Sequence, residues 1–344
     1  MEILSTSHND LAKAAKAIKN GLLVAFPTET VYGLGADAFN PAALAKIFEA
    51  KNRPHFDPLI IHIAETEALS RIADISALNA AFAERLSILS EHLWPGPLTM
   101  ILPKRNEVPG IATAGLATVA VRFPSHPVAQ KLIHLSTGAL AAPSANPFGF
   151  LSPTRAEHVK TQLGDKVDII INGGKTDLGL ESTVLDITQD PPAILRYGGV
   201  SRETIEALIG PVRILQSPSG KEPSSSERPV SPGQLKNHYS PRTPLILYKH
   251  GELEILCPAR NEGRLYFSAP KKGSISSENT RVLSETSNLT EAAANFFAML
   301  HELDRLGLDF ILAEEAPDKG LGEAINDRLR RAQNKNPKGH GGSS

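Results

Sequence analysis

The sequence predicts a mixed α/β protein of two unequal domains, and three observations lead to that prediction. Short, strongly apolar runs that are typical of buried strands occur among stretches whose apolar residues recur at helical spacing. Several strand-like runs follow one another with no helix between them, which favours a mixed sheet with flanking helices over a regular parallel one. A Pro/Ser/Gly-rich stretch then divides the 344-residue chain into a larger and a smaller part.

The larger part contains helices marked by apolar spacing and by punctuation residues. Leu11, Ala14 and Ile18 lie on the inner face of a first helix, which Asn9 is predicted to cap and Gly21 to end. Pro41 opens a second helix that ends near Lys51. Further helices are predicted over 78–93 and 127–135, and strands over 22–26, 59–63, 98–102, 118–123, 139–142, 167–171, 183–187 and 193–195.

The composition changes at Ser217, where six Ser, four Pro and two Gly make up 12 of the 17 residues 217–233. Such a stretch cannot build a core and is typical of a linker. After it, strands are predicted over 245–248, 264–267 and 310–313, and helices over 292–306 and around Ile325. The predicted organisation is a domain of residues 1–210, a linker of residues 211–243 and an α/β domain of residues 244–344.

Bulk composition excludes several classes of function. The formal net charge is −1, so no global basic field attracts the chain to nucleic acid or membrane. The single cysteine, Cys257, excludes an internal disulfide framework and a Cys-based zinc site. Neither a signal peptide nor an apolar run of the ~20 residues that span a bilayer is visible, so a cytoplasmic protein is expected.

The most informative stretch is residues 23–62. An apolar strand meets Pro27-Thr28-Glu29-Thr30, followed by glycines at 33 and 35 and by Lys51 and Arg53. Hydroxyls, glycines and two cations beside buried strands suit an anionic, oxygen-rich ligand. Each feature also has a structural explanation, since threonine satisfies backbone groups at strand ends and cations favour helix C-termini.

Further polar side chains fall at the ends of predicted strands. They are Arg122, Ser144, Asn146, Ser182 and Arg196. Strand ends are where α/β proteins place their ligands. No phosphate-binding Gly-x-x-x-x-Gly-Lys-Ser/Thr string, no Gly-x-Ser-x-Gly elbow and no metal-spaced histidines occur in the chain. The residues by themselves indicate an α/β enzyme that binds an anion and acts by electrostatics.

The combined pattern is more specific than its parts. Phe26 to Leu34, Lys51-Asn52-Arg53-Pro54, Pro58 to His62 and Ser144-Ala145-Asn146 together resemble the Sua5/YrdC/YciO family, with Lys-x-Arg and Ser-x-Asn as its signature. Residues ~8 to 205 resemble its YrdC-type domain. The segment Ser231 to Pro241 and the second domain resemble the two-domain Sua5 form. The resemblance implies a YrdC-type twisted mixed sheet and a smaller, Rossmann-like C-terminal domain.

The resemblance also implies a reaction. L-threonine, bicarbonate or CO2, and ATP would give threonylcarbamoyl-AMP and pyrophosphate, a nucleotidyl transfer. The product would serve the threonylcarbamoyl (t6A) modification of adenosine 37 in tRNA through downstream transferase proteins, so contact with tRNA would be indirect. Mg2+ is expected to enter on the ATP phosphates and not at a metal site of the protein. A monomer is expected.

The family's site residues carry over by position in this sequence. Those matching the threonine site are Thr30, His62, Arg122 and Ser182, with Arg122 pairing with the threonine carboxylate. Those matching the nucleotide site are Lys51, Arg53, Thr118, Ser144, Asn146, Ser152, Arg196 and the linker residue Tyr239, which would make the linker an active-site lid. Lys51 and Arg53 are the expected catalytic residues.

Two positions depart from the family pattern. Asp57 stands where some relatives carry Asn, and Ala142 stands where some carry Thr beside the threonine site. Ala142 is therefore left out of the predicted site, because only its backbone could make such a contact.

Two other functions remain open at the sequence level. One is another carbamoyl-adenylate reaction, as in the YrdC-like module of hydrogenase maturation factors, which the single cysteine disfavours. The other is an RNA-binding or ribosome-maturation protein, which the near-neutral charge disfavours.

Overall fold

The computed structural model describes residues 1–215, 239–249, 261–269 and 278–333. The described residues form two compact units. The first contains residues 1–148 and 152–215, and the second contains residues 149–151 and those from 239 onward. Residues 216–238, which hold most of the predicted linker, lie outside the described residues.

The first unit is built on one large sheet. Its strands are β1 (Glu2–Leu4), β2 (Val24–Phe26), β3 (Gly33–Asp37), β4 (Ile60–Ile63), β5 (Leu98–Pro103), β6 (Thr118–Arg122), β7 (Ala139–Ala141), β8 (Ile169–Ile171), β9 (Thr183–Asp186), β10 (Ala193–Arg196) and β11 (Arg213–Ile214). They lie in the order β1-β8-β2-β3-β7-β4-β6-β5-β9-β10-β11.

The sheet mixes both strand orientations. The pairs β1–β8, β8–β2, β4–β6, β5–β9 and β10–β11 are parallel. The pairs β2–β3, β3–β7, β7–β4, β6–β5 and β9–β10 are antiparallel. The mixed sheet predicted from back-to-back strand runs is therefore confirmed.

Helices flank this sheet. They are α1 (His8–Lys19), α2 (Pro41–Lys51), α3 (Leu69–Ile72), α4 (Ala80–Leu93), α5 (Pro127–Leu135), α6 (Ala156–Leu163) and α7 (Arg202–Ile209). Helices α1 and α5 pack on each other over an apolar cluster that includes Leu11, Ile18, Phe26 and Ile133. A second cluster, with Ile60, Ile101 and Leu195 among its members, lies around the middle strands. These clusters hold the strand ends in fixed positions.

Two helix starts show how local sequence sets the elements. The Asn40 side chain accepts hydrogen bonds from the N–H groups of Ala42 and Ala43, at 3.0 and 3.2 Å, and Pro41 occupies the first turn of α2. The cap predicted for α1 is wrong. Ser7, not Asn9, caps it, because the Ser7 hydroxyl accepts the Asp10 N–H at 3.2 Å and Asn9 already lies inside the helix.

Strand β3 contains the glycines of the motif and was not predicted as a strand. Gly35 pairs with Val24 across β2 and β3. A Cβ on Gly35 would lie 2.7 Å from Cε1 of Phe26, so the Phe26 ring occupies the space of the missing side chain. The glycines thus serve close packing of β3 on its neighbour. Other elements of the first unit absent from the prediction are β1, β11, α3, α6 and α7.

The second unit has a smaller sheet. Its strands β12 (Leu245–Tyr248), β13 (Glu262–Ser268), β14 (Thr280–Ser284) and β15 (Phe310–Glu314) are all parallel, in the order β12-β15-β13-β14. Helix α8 (Leu289–Asp304) packs on β14 and on α9 (Leu321–Ala332). A parallel sheet covered by helices is Rossmann-like, so the predicted fold class is confirmed. Within the described ranges, no helix is both long and apolar enough to cross a bilayer.

Candidate active site

The turn between β2 and β3 holds two threonine hydroxyls together. The Thr28 hydroxyl donates to the Val31 carbonyl at 2.7 Å and accepts the N–H groups of Thr30 and Val31 at 3.2 and 3.3 Å. The hydroxyls of Thr28 and Thr30 lie 2.8 Å apart. The Thr28 hydroxyl therefore stabilises the turn, and the turn holds the Thr30 hydroxyl next to that of Thr28.

Neighbouring strands bring three of the predicted threonine-binding residues into one region. The parallel pairing of β4 with β6 aligns His62 with Arg122, and the antiparallel pairing of β5 with β6 aligns Thr99 with Arg122. The Thr99 hydroxyl lies 2.7 Å from that of Ser182, which directly precedes β9. Sheet register therefore groups residues that are up to 120 positions apart in the sequence, from His62 to Ser182.

Arg122 is held by one carbonyl and one carboxylate. Its Nε donates to the Gly96 carbonyl at 3.3 Å, and its Nη2 lies 2.8 Å from Oε1 of Glu29. Both side chains are buried. Glu29 was not among the predicted site residues, although it belongs to the Pro27-Thr28-Glu29-Thr30 motif. The signal that could have identified it is the presence of an acid inside an otherwise buried run, since a buried charge requires a partner.

Lys51 links the two signature motifs. Its ammonium donates to the backbone carbonyls of Ser144, at 2.6 Å, and of Asn146. The Ser144 segment is itself attached to β3, because Gly33 and Ser144 form a β-bridge and the Ala145 N–H donates to the Tyr32 carbonyl at 2.8 Å. The Lys-x-Arg and Ser-x-Asn motifs are thus one structural group with the glycine strand.

Arg53 forms a compact ion pair with Asp57. Asn52 ends α2 in the left-handed conformation, with φ of 50°, and turns the chain so that Arg53 leaves the helix axis. The Arg53 guanidinium donates to the carbonyls of Asp57 and Pro58, at 3.1 and 2.8 Å, and its Nη2 lies 2.9 Å from the Asp57 carboxylate. The acid at position 57 therefore neutralises Arg53 from within the same loop.

The remaining residues predicted for the nucleotide site lie on other strands and loops of the first unit. Arg196 donates two hydrogen bonds to the Ser182 carbonyl, at 3.1 and 2.9 Å, which joins it to the threonine-site residues. The Ser152 hydroxyl donates to the Glu181 carboxylate. Thr118 is the first residue of β6 and Arg122 the last, so the two lie about 13 Å apart along the strand. Thr118 therefore lies at the opposite end of β6 from Arg122.

Burial shifts the pKa values at the cationic end. Burial lowers the pKa of Lys51 well below its usual value; Arg53 lowers it further, and Asp57 opposes the shift. Burial raises the pKa of Asp57, against the charges of Arg53, Lys51 and Arg196. Each shift reports a charge held out of water, where an arriving anion would interact strongly with the cations.

At the Arg122 end, the pKa values of His62 and Glu29 are both lowered. Burial and the charge of Arg122 lower the pKa of His62 to about 3, so the imidazole is neutral at neutral pH, with its Nδ1 3.2 Å from the Ile60 carbonyl. Burial is the largest single influence and acts to raise the pKa of Glu29, but the charge and hydrogen bonding of Arg122, together with the backbone N–H groups of Glu29 and Ser125, leave that pKa lowered. This end therefore holds a charged pair beside neutral donors and acceptors.

Ala142 and Tyr239 each make contacts within their own unit. Ala142 is buried and donates its N–H to the Ile60 carbonyl at 3.0 Å, so its backbone already takes part in the sheet. Tyr239 lies in the second unit, with its ring 5.9 Å from that of Phe297 and 4.9 Å from the Arg328 guanidinium. Its contact with a nucleotide, like the lid role of the linker, stays a prediction.

The site can bind an anion by charge and orient a second polar group. Among the described residues, no group of three or more His, Cys, Asp or Glu side chains could hold a metal ion. Fold and site together define a class: a mixed α/β protein whose sheet gathers buried cations, hydroxyls and a neutral imidazole at its strand ends.

Comparison with known proteins narrows this class to a family. The family profile described as "Telomere recombination" (Sua5_yciO_yrdC) matches residues 16–198. The profile described as "Threonylcarbamoyl-AMP synthase, C-terminal domain" (Sua5_C) matches residues 200–333. The chain belongs to the Sua5/YrdC/YciO family and has its two-domain Sua5 architecture, as the sequence motifs predicted.

Relatives match the chain over nearly its whole length. The threonylcarbamoyl-AMP synthase of Pyrococcus abyssi is 44% identical over 326 residues, covering 93% of this chain and 92% of the relative. That of Bacillus subtilis is 41% identical over 337 residues, covering 96% and 94%. The crystal structure of P. abyssi Sua5 complexed with L-threonine has a TM-score of 0.87 at 41% identity, covering 96% of this chain and 97% of that one. The predicted nucleotidyltransferase-type enzyme class is thereby confirmed.

Proposed function

We propose that this protein makes threonylcarbamoyl-AMP and pyrophosphate from L-threonine, bicarbonate or CO2, and ATP. The observation that carries the proposal is the division of the buried cations into two groups. Arg122 lies with Thr30, His62 and Ser182, while Lys51 and Arg53 lie at the Ser-x-Asn turn. Arg196 donates to the Ser182 carbonyl of the first group, and its charge acts on Asp57 beside the second. One group suits an amino acid and the other a nucleotide.

The threonine end would orient the amino acid. Arg122 would pair with the threonine carboxylate, because a guanidinium grips two oxygens at once. Thr30 and Ser182 offer hydroxyls, and the imidazole of His62 offers one donor or acceptor, for the remaining polar groups of the substrate. The neutral state of His62 avoids a second positive charge next to Arg122.

The nucleotide end would neutralise the phosphates. Lys51 and Arg53 are the catalytic residues we assign, with Arg196, Ser144, Asn146, Ser152 and Thr118 as further nucleotide contacts and Tyr239 as a contact from the second unit. Burial lowers the pKa of Lys51, and a bound phosphate would raise it again, since opposite charge favours the ammonium. The full charge of Lys51 is therefore expected when the nucleotide arrives.

The chemistry needs no covalent enzyme intermediate. The deprotonated amine of threonine adds to CO2 and loses its second proton, which leaves a carbamate. A carbamate oxygen then attacks the α-phosphorus of ATP, and the bond from that phosphorus to the pyrophosphate oxygen breaks. Alignment of the two reactants and preorganised positive charge supply the rate enhancement in such a displacement.

Mg2+ fits this scheme as part of the nucleotide substrate. The acid nearest the phosphate-binding cations, Asp57, is paired with Arg53 at 2.9 Å. With no cluster of three acidic or histidine ligands among the described residues, the ATP phosphates would supply the ligands of the ion.

The chemistry of the product indicates the class of protein that would consume it. A threonylcarbamoyl adenylate is an activated acyl donor, and the proposed consumer is a transferase that modifies adenosine 37 of tRNA. This protein would then act on small molecules as a cytoplasmic monomer and meet tRNA only through that transferase.

The test is pyrophosphate release by the purified full chain. We expect release that requires ATP, threonine and bicarbonate together, and a product with the mass of threonylcarbamoyl-AMP. Release that persists without threonine would contradict the proposed substrate. RNA binding with a steep salt dependence, and no pyrophosphate under any condition, would favour the RNA-binding alternative instead.

A further inference from the structure

The ion pair between Glu29 and Arg122 has unused hydrogen-bonding capacity. The pair measures 2.8 Å, and the two side chains are 10% and 5% exposed. Neither carboxylate oxygen of Glu29 and no proton of Arg122 Nη2 makes a well-aligned hydrogen bond to another described residue, although the backbone N–H groups of Glu29 and Ser125 lie near enough to the carboxylate to lower its pKa. Buried polar atoms in folded proteins nearly always have such partners, so this pair points to a ligand that supplies them.

The pair is poorly suited to stabilising the fold. Taking two charges out of water costs several kcal/mol for each ion, and their attraction offsets that cost only when further hydrogen bonds satisfy the remaining atoms. Here Arg122 has one such bond, from Nε to the Gly96 carbonyl at 3.3 Å. The two charges are therefore better explained by what they bind.

An amino acid presents the complementary pair of charges. At neutral pH it carries a carboxylate and an ammonium on one carbon atom. Arg122 is assigned to the carboxylate, whereas Thr30, His62 and Ser182 carry no negative charge. Among the described residues of the threonine end, Glu29 supplies the acid that pairs with Arg122. Its backbone is fixed by the hydrogen bond from Leu178 N–H to its carbonyl, at 2.8 Å.

We propose that Glu29 binds the α-ammonium group of threonine while Arg122 binds its carboxylate. This inference rests on the proposed function and deepens it by assigning the group that selects an α-amino acid over a hydroxy acid. When threonine binds, the Glu29–Arg122 ion pair would be partly replaced by two ion pairs, one between Glu29 and the ammonium group and one between Arg122 and the carboxylate. Each of these would have more hydrogen bonds than the present pair. Once the nitrogen has become part of a carbamate it is uncharged, and Glu29 would accept its single N–H.

The test compares two ligands that differ at one atom group. Binding of L-threonine and of (R)-3-hydroxybutanoate, which has the same arrangement at the hydroxyl-bearing carbon but lacks the amino group, is measured calorimetrically on the full chain without ATP. We expect Glu29→Gln to weaken threonine binding about 10- to 100-fold, and to change hydroxybutanoate binding by less than about 3-fold. The preference for threonine over the hydroxy acid should largely disappear.

Two further variants keep the test decisive. Glu29→Asp retains the charge and should keep a preference for threonine, including in the case that Glu29→Gln fails to fold. Asp186→Asn is the matched control, because Asp186 is also a buried acid of the first unit and pairs with Thr188 and Gln189. It should leave both affinities unchanged.

Distinct outcomes overturn distinct claims. Equal weakening of both ligands by Glu29→Gln, or no weakening of either, would assign Glu29 a structural role and overturn the inference. If the unaltered protein binds neither ligand, the proposed function fails and the inference fails with it. A threonine preference that survives Glu29→Gln while threonine still binds would overturn the inference alone.

Discussion

For Lys51, a structural role and a catalytic role predict different effects of the same substitution. Its side chain is 1% exposed and donates to two backbone carbonyls at the Ser-x-Asn turn. A buried ammonium is costly to hold, so removing it need not destabilise the protein. Its charge, by contrast, has no substitute if it stabilises the transferring phosphate.

We predict that Lys51→Met lowers turnover at least about 100-fold and changes the free energy of unfolding by no more than about 2 kcal/mol. Lys46→Met is the matched control, since Lys46 lies on the same helix and also donates to a carbonyl, that of Gly21 at 2.7 Å. The measurements are pyrophosphate release and urea unfolding. Unfolding of the Lys51 variant with turnover retained per folded molecule would indicate a purely structural lysine.

His62 gives a prediction for the pH dependence of stability. Its pKa is about 3 in the folded protein and 6.5 when unperturbed, so the unfolded chain binds a proton first as the pH falls. The stability contributed by the neutral folded imidazole is complete above pH 6.5 and is lost between 6.5 and about 3. The loss amounts to up to about 1.4 kcal/mol per pH unit.

His62→Gln should remove this dependence. Urea unfolding is measured at several pH values from 7 to 4. The free energy of unfolding should fall more steeply with decreasing pH for the unaltered protein than for the variant. Parallel curves would show that His62 keeps an ordinary pKa in the folded state, and that burial does not hold it neutral.

Residue-level reasoning identified the cations but not their partners. Lys51, Arg53, Arg122 and Arg196 stood out because charges at strand and helix ends are visible in a sequence. The carboxylates that pair with Arg53 and Arg122 were not assigned to the site, although Asp57 lies four positions after Arg53 and Glu29 lies in the same motif as Thr30. The Glu29–Arg122 pair depends on the order of the strands in the sheet, which neither motif specifies by itself.

At the scale of elements, the chain after β10 lies very close to the backbone that leads into β9. Gly198 follows β10, and a Cβ placed on it would overlap the backbone of Glu181, Ser182 and Thr183. The Ser182 carbonyl accepts two hydrogen bonds from Arg196 at the end of β10. A shift of this backbone would therefore disturb both predicted substrate sites.

We predict that Gly198→Ala destabilises the protein by about 1–3 kcal/mol and weakens threonine binding at least about tenfold. Gly110→Ala is the control, because no atom lies within 4 Å of a Cβ added there. Thermal unfolding and calorimetric binding are the measurements. If the two variants unfold at similar temperatures and bind threonine with similar affinity, the backbone at Ser182 can shift without loss of stability or binding.

Elements marked by punctuation residues were predicted best. Helix α5 runs from Pro127 to Leu135 as expected, since proline at the first turn is a local signal. Strand β3 was missed because its glycines have no strand propensity, and the reason for them, the Phe26 ring against Gly35, is a tertiary contact. Short peripheral elements such as β1 and β11 carried too few apolar residues to be recognised.

At the scale of the whole molecule, the composition of residues 217–233 predicted two domains, but one feature lay beyond composition. Residues 149–151 belong to the second unit, where Phe150 bridges Ser240 and the Ser240 N–H donates to the Gly149 carbonyl at 2.8 Å. The segment directly after the Ser-x-Asn turn is thus a part of the second unit's structure. The residues of this pairing belong to no motif identified in the sequence, so the pairing was not predicted.

Tyr239 lies next to that pairing and has two possible roles that one pair of substitutions separates. Its side chain is 1% exposed, packs on Phe297 and lies under Arg328 in the second unit. Tyr239→Ala should cost about 3–5 kcal/mol, since it leaves a cavity and removes the ring from a buried guanidinium. Tyr239→Phe keeps the ring and should cost less than about 1.5 kcal/mol.

The predicted nucleotide contact adds a second expectation for Tyr239→Phe. If the hydroxyl reaches the nucleotide, the KM for ATP should rise about 5- to 10-fold with the free energy of unfolding almost unchanged, because only a hydrogen bond is lost. Pyrophosphate release at varied ATP, together with urea unfolding, measures both quantities. An unaltered KM would restrict Tyr239 to packing within the second unit, and the nucleotide site would then have to be completed by residues of the first unit.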